Sequence, residues 1–193
     1  MRLSILDTGH NFGTKLLFTL IKAASRQPVL DIVKLVKYRP DFYGNPMSAV
    51  THEAMRGPSS WSIGDRELMA AIVAQANECR FCTEAHAAVA RQAYRDDAKV
   101  AAVLADLERA PIDDRLRATL RLLRKQAQQR TLEANDMRAA LDAGVTRAQI
   151  EDALAVSFAF TTVTRLADTF SFALPVREAM DAGAKFLLTR GYR

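Results

Sequence analysis

Residues 66–86 read RELMAAIVAQANECRFCTEAH, and this stretch decides the fold. Leu68, Met69, Ile72 and Val73 recur at intervals of three and four, the spacing of one helix face. The helix is expected to start near Asp65, capped by Ser62 or Asp65, and to end at Asn77 and Glu78. A second helix is expected to begin around Cys79 and Cys82 and to carry Ala85, Ala88, Val89 and Tyr94. A connection this short makes the two helices antiparallel neighbours. Residues equidistant from the turn then face each other, and Glu67 lies ten before Asn77 while His86 lies nine after it.

The same helical spacing continues outward in both directions, and no segment alternates with period two. The expected fold is therefore an all-α bundle, read as one domain over 1–193 with the thiol stretch in 65–90 and a helical extension over about 1–55. Leu16, Leu17, Leu20 and Ile21 mark a first helix, and Leu30, Val33, Leu35 and Val36 a second after Pro28. Pro40 and Gly44-Asn45-Pro46 punctuate the chain, and 56–64 reads as a loop. Later helices are expected near 97–109, 112–130, 134–143, 147–170 and 175–189, with Thr146 and Gln149 as a capping box. Laying 66–86 on 151–171 admits a degenerate internal duplication, in which Thr164, Ala167 and Ser171 stand for Cys79, Cys82 and His86.

Composition narrows the class. A hydrophobic share of 49% with 25% charged residues describes a folded globular chain. The net charge of +5 comes from basic residues spread along the sequence, and the densest group, Arg115 to Arg130, falls at helical intervals, so it reads as a solvated helix face and not as a nucleic-acid site. The apolar run Leu16 to Ile21 is far short of the roughly 20 residues that span a bilayer. Asp7, His10 and Asn11 stand where a leader would turn apolar. The expectation is a cytoplasmic protein with no membrane partner. In a reducing compartment a Cys-x-x-Cys pair points to catalysis or metal binding.

His86 follows Cys82 by four residues, one turn along the same helix face. Spacing alone thus lines up Glu67, His86 and Cys82, directly or through a water. An ordinary cysteine, with a pKa near ~8.5, is mostly protonated at neutral pH and needs a base to become a nucleophile. His86 can take the proton, Glu67 can fix the tautomer of the imidazole, and the helix start favours a thiolate. Two other readings stand beside this one: buried core cysteines, and a zinc site in which His52 or Glu67 joins Cys79, Cys82 and His86. Haem attachment is excluded, because residue 83 is Thr where a His would follow the second cysteine. Trp61 and Phe81 read either as core or as the walls of an apolar pocket over the thiols, and Arg165 with Asp168 reads as a structural ion pair.

Glu67, eleven residues, then Cys79-x-x-Cys82-x-x-x-His86 resembles the signature of the alkyl hydroperoxidase D proteins of the carboxymuconolactone decarboxylase superfamily. The stretches YRPDFYG, RGPSSWSIGDRELMAA and TRLADTFSF resemble its peroxidase-related branch, so the likeness covers roughly residues 38–172. The resemblance implies a helical, homo-oligomeric fold that reduces a hydroperoxide substrate through the cysteine pair, with an external dithiol or thiol protein as reductant and no cofactor. By motif, Cys82 matches the cysteine oxidised to a sulfenic acid, Cys79 its resolving partner, and Glu67 and His86 the proton relay. Phe81 stands where the best-studied members have a second histidine. Members that decarboxylate a lactone lack the cysteine pair. The expected activity is thus a thiol-dependent peroxidase, with disulfide reduction of a protein partner, or a non-enzymatic metal-binding or redox-sensing role, as alternatives.

Overall fold

The structure, a computed structural model, describes residues 1–192. It comprises α1 (Ile5–Thr8), α2 (Phe12–Ser25), α3 (Asp31–Tyr38), a π-helical turn (Pro40–Gly44), α4 (Asn45–Arg56), α5 (Ile63–Ala76), α6 (Arg80–Tyr94), α7 (Asp97–Ala105), α8 (Asp114–Gln129), α9 (Ala134–Asp142), α10 (Arg147–Thr169) and α11 (Arg177–Arg190). Among the described residues there is no strand, as the uninterrupted helical spacing requires. No helix is long and apolar enough to cross a membrane.

α5 is the axis of the bundle. Leu68 to Ala74 are all buried, so the helix is apolar around its whole circumference and not along one stripe. α6 lies against it as its main neighbour, and α10, α8 and α4 enclose the other sides. α11 packs on the outer side of α6. The run of small residues Ala70, Ala71 and Ala74 on α5 against Ala87, Ala88 and Ala90 on α6 fits this close packing.

Local chemistry sets the ends. Ser62 caps α5 in a reciprocal box with Asp65, and Thr146 caps α10 with Gln149. α5 stops in a Schellman turn: Glu78 takes the left-handed conformation, its N–H donates to the Gln75 carbonyl, and the Cys79 N–H donates to the Ala74 carbonyl at 3.0 Å. Cys79 is thereby delivered to the N-cap of α6. The basic group on α8 is partly structural, since Arg117 donates to the carbonyls of Leu107, Glu108, Ala110 and Ile112 and so ties down the loop before the helix.

Three sequence expectations change. Residues 45–56 form a helix, because Pro46 sits within the first two positions of α4, where its missing N–H costs nothing. α4 buries Thr51 and Met55 against the bundle, so the peripheral N-terminal part ends before it. The proposed duplication finds no local counterpart, since α10 runs unbroken through 162–163, the positions aligned with the turn at 77–78. α2 buries none of its residues and exposes Phe12, Leu16, Leu17 and Leu20.

Candidate active site

The antiparallel arrangement of α5 and α6 brings Glu67 and His86 to the same height. His86 Nδ1 lies 2.8 Å from Glu67 Oε2. Glu67 is 0% exposed, and an isolated carboxylate at such a position would be too costly to keep charged. Two further groups compensate it. Arg56 Nη2 donates to Oε1 at 2.7 Å, and the Tyr192 hydroxyl donates at 2.9 and 3.0 Å to the two oxygens.

Each partner is itself fixed. Arg56, at the end of α4, also donates to the carbonyls of Met55 and Leu187, and its guanidinium lies over the Tyr192 ring at 5.1 Å. Tyr192 reaches the site because Gly191 turns the chain after α11 with φ of 69° and ψ of −151°, a conformation open to glycine alone. A Cβ at Gly191 would also meet the His52 ring at 2.6 Å. The Tyr192 N–H donates to His52 Nδ1 at 3.3 Å. The His86 ring stands edge-on to Phe160 at 4.1 Å between centroids.

Burial pushes the Glu67 carboxyl up, but the His86 hydrogen bond, followed by the charges of His86 and Arg56, outweighs it, so the group sits below the usual carboxylate range. Burial, then the neighbouring Glu67, pushes the Tyr192 phenol well above its usual range. Tyr192 is therefore a donor and Glu67 an acceptor. An acceptor-only carboxylate requires the proton on His86 Nδ1, which leaves Nε2 as the basic nitrogen.

Cys79 and Cys82 are free thiols, 0% and 2% exposed. The two thiols are coupled. The thiol of Cys82 stabilises negative charge on Cys79 and brings its thiol below the usual range in spite of burial. The Cys79 side chain makes no close capping hydrogen bond, so the Cys82 N–H acts on it as a nearby dipole. The converse holds for Cys82, which hydrogen bonding to Cys79 and then burial push well above the usual thiol range. Such a pair shares its first ionisation, and the first charge is favoured on Cys79 over Cys82. No direct hydrogen bond joins His86 to Cys82 among the described residues; the imidazole's bonded partner is Glu67.

The remaining candidates are placed as follows. Trp61 is core, its indole N–H donating to the Gln149 carbonyl at 2.9 Å. Phe81 is buried against Phe172, edge-on at 5.3 Å. Arg165 and Asp168 form no ion pair; Asp168 lies beside the thiols, where its charge disfavours a thiolate on either sulfur. The expected pairing assumed that two exposed groups three apart would meet, and exposed pairs hold little energy to enforce that. His52 is engaged with Tyr192 and Glu67 with three partners, and among the described residues no group of three or more His, Cys, Asp or Glu is placed to hold a metal ion. A surface concavity of about 670 Å³ lies along α8 and α9 among Arg117, Arg121, Lys125 and Asp136, and none of the thiol-site residues lines it.

Arg56, Tyr192 and Asp168 were not identifiable from spacing. Arg56 precedes a loop, and Tyr192 is 125 residues from Glu67 in sequence. The one available signal was the Gly-Tyr pair at 191–192 directly after a helix.

Residues 43–125 match the carboxymuconolactone decarboxylase family. The matched span contains α4 through most of α8, and with them Glu67, Cys79, Cys82 and His86. The fold is alkyl hydroperoxidase D-like. It is shared with an uncharacterized peroxidase-related protein from a Silicibacter species, at 24% identity over 87% of both chains and a TM-score of 0.74. It is also shared with an uncharacterized peroxidase-related protein of Ralstonia eutropha described as an alkylhydroperoxidase AhpD core, at 20% identity over 91% of this chain and 92% of that one, with a TM-score of 0.75. No curated protein matches the chain in sequence.

The coupling of the two thiols sets a signed expectation. Cys79→Ala removes the main cause that holds the Cys82 thiol up, so Cys82 should ionise at lower pH than the second step of the wild type. Cys82→Ala removes the donor that favours the Cys79 thiolate, so Cys79 should ionise at higher pH than the first step. Thiolate ultraviolet absorbance against pH reads both. A single wild-type transition, matched by both variants, would show that the sulfurs are not coupled.

Proposed function

We propose that the chain is a thiol-dependent peroxidase that reduces hydroperoxides through Cys82 and Cys79, with His86 and Glu67 as its proton relay. The observation that carries this reading is the buried Glu67 to His86 hydrogen bond, which leaves Nε2 basic one helical turn from Cys82. The match of residues 43–125 to the carboxymuconolactone decarboxylase family and the fold shared with the two peroxidase-related proteins support it.

In the proposed cycle the proton of Cys82 passes to His86, directly or through a water. The Cys82 thiolate attacks the terminal oxygen of the hydroperoxide; an S–O bond forms, the O–O bond breaks, and the departing alkoxide takes the proton from His86. Cys82 is now a sulfenic acid, and the organic product is an alcohol. Cys79, which ionises more readily than Cys82, attacks the Cys82 sulfur; the S–O bond breaks as the disulfide forms, and the leaving hydroxide takes up the proton that Cys79 released and departs as water. An external dithiol reduces that disulfide by exchange. The same ready thiolate on Cys79 supports a second reading, attack on the disulfide of a protein partner.

The cytoplasm is the fitting compartment for two free thiols that must be returned to the reduced state. The chain is also proposed to self-associate, because Phe12 (83% exposed), Leu16 and Leu20 lie at four-residue intervals on α2 and form an apolar stripe that a second copy would cover. Sedimentation at micromolar concentration should give a multiple of the 21.4 kDa chain mass, and a mass equal to one chain would refute self-association.

The cysteine roles are separable by trapping. Cys79→Ser should consume one equivalent of hydroperoxide and leave a dimedone-reactive sulfenic acid on Cys82, with dithiol-driven turnover down by about 100-fold or more. Cys82→Ser should lose both steps. An adduct on Cys79 that forms as readily in Cys82→Ser as on Cys82 in the other variant would reverse the assignment. Wild-type protein that ignores hydroperoxide yet reduces disulfides would favour the second reading.

A further inference from the structure

One polar group beside the thiols has no partner. The hydroxyl of Tyr43 is buried and makes no hydrogen bond to any group of the chain. A buried, unpaired hydroxyl carries a desolvation cost of about 1–3 kcal/mol, so its retention calls for a reason.

The backbone holds this side chain in place deliberately. The turn Pro40–Gly44 is π-helical, with the Tyr43 and Gly44 N–H groups both donating to the Arg39 carbonyl at 2.9 Å and the Asn45 N–H donating to Pro40. Such wide turns recur at functional sites because the extra residue re-aims side chains. The turn is seated against α3 through Gly44, where a Cβ would strike the Val36 carbonyl oxygen. Within it Phe42 points outward at 76% exposure, under the Arg39 guanidinium at 5.3 Å, and Tyr43 points in. Burial, and then the charge of Cys82, the one titratable group that acts on it, pushes the Tyr43 phenol up to about 12. It is a neutral donor at every physiological pH and has no acceptor within the chain.

We propose that Tyr43 is a further catalytic residue, donating its hydrogen bond to the oxygen that arrives at Cys82: first the hydroperoxide oxygen under attack, then the oxygen of the sulfenic acid. The inference rests on the peroxidase reading. In the step, Cys82 sulfur gains the terminal oxygen as the O–O bond breaks, and charge grows on the leaving oxygen. The Tyr43 hydroxyl stabilises oxygen charge without giving up its proton; the proton that completes the alcohol is the one released by Cys82. A donor already aimed at a developing oxyanion needs no reorganisation during the reaction. Its partner is any hydroperoxide small enough to reach a sulfur that is 2% exposed.

Tyr43→Phe tests this, because it removes the hydroxyl and keeps the ring. The rate of Cys82 oxidation by a small alkyl hydroperoxide should fall about 10- to 100-fold, at or below what one oxyanion donor supplies. Thiol reaction with dithiodipyridine, which brings no oxygen to the sulfur, should keep its wild-type rate. The helical circular dichroism spectrum should be unchanged and the melting temperature no lower, since an unpaired hydroxyl has been removed. Equal slowing with both reagents would mean that Tyr43 only shapes the site, and equal rates with both would mean that it does nothing; either result overturns the proposal while leaving the peroxidase reading intact. If the wild type itself fails to react with the hydroperoxide, the peroxidase reading falls and this inference falls with it.

Discussion

A carboxylate without solvent is the constraint around which this site is arranged. Glu67 lies on the central helix of the bundle at 0% exposure, where its charge survives only if hydrogen bonds and opposite charge replace the lost water. Arg56 from the end of α4, His86 from α6 and Tyr192 from beyond α11 each supply part of that replacement. Three elements that are distant in sequence are thereby fastened to one atom pair. Breaking such a set by deleting one member costs about 3–5 kcal/mol in comparable buried pairs, so the cluster stabilises the fold as well as ordering the imidazole.

The arrangement also explains a division of labour at the two sulfurs. His86 spends Nδ1 on Glu67, and Nε2 remains for chemistry. Cys79, placed at the N-cap by the Schellman turn, holds charge more easily because Cys82 donates to it. A Cys79 that ionises more readily than Cys82 suits the resolving role proposed for it. Asp168 opposes thiolate on both sulfurs. Both sulfurs are covered, which restricts direct access to small oxidants and makes exchange with a larger partner depend on local opening.

The parts of this account that were legible in the sequence are those in which distance along the chain predicts distance in space. The α5–turn–α6 unit is local, so its apolar spacing, its Ser62 cap and the matched heights of Glu67 and His86 followed from counting residues. The helical class followed for the same reason. What stayed hidden depends on tertiary placement. Arg56 and Tyr192 look like ordinary surface residues at element ends until α4 and α11 are set against α5 and α6. Asp168 was paired with Arg165 on helical spacing, a weak guide for exposed charges, and its actual position beside the thiols depends on how α10 lies in the bundle. The Pro40–Gly44 turn was legible only as punctuation, since a π-helical turn has no distinctive composition.

The central claim is that the Glu67 charge, acting through His86, drives ionisation of the thiol that reacts. The most direct measurement is the pH dependence of hydroperoxide-driven oxidation of Cys82 in Glu67→Gln beside the wild type. The Arg56→Met/Glu67→Gln pair provides a second folded background, free of the orphaned Arg56 charge, and near-unchanged circular dichroism qualifies each protein. The account predicts that both variants lose at least about 10-fold in rate at neutral pH and recover it only as the pH is raised, because the carboxylate no longer supports a proton on the imidazole. Profiles that overlay the wild type across the whole range would contradict it and reduce the buried carboxylate to a structural element.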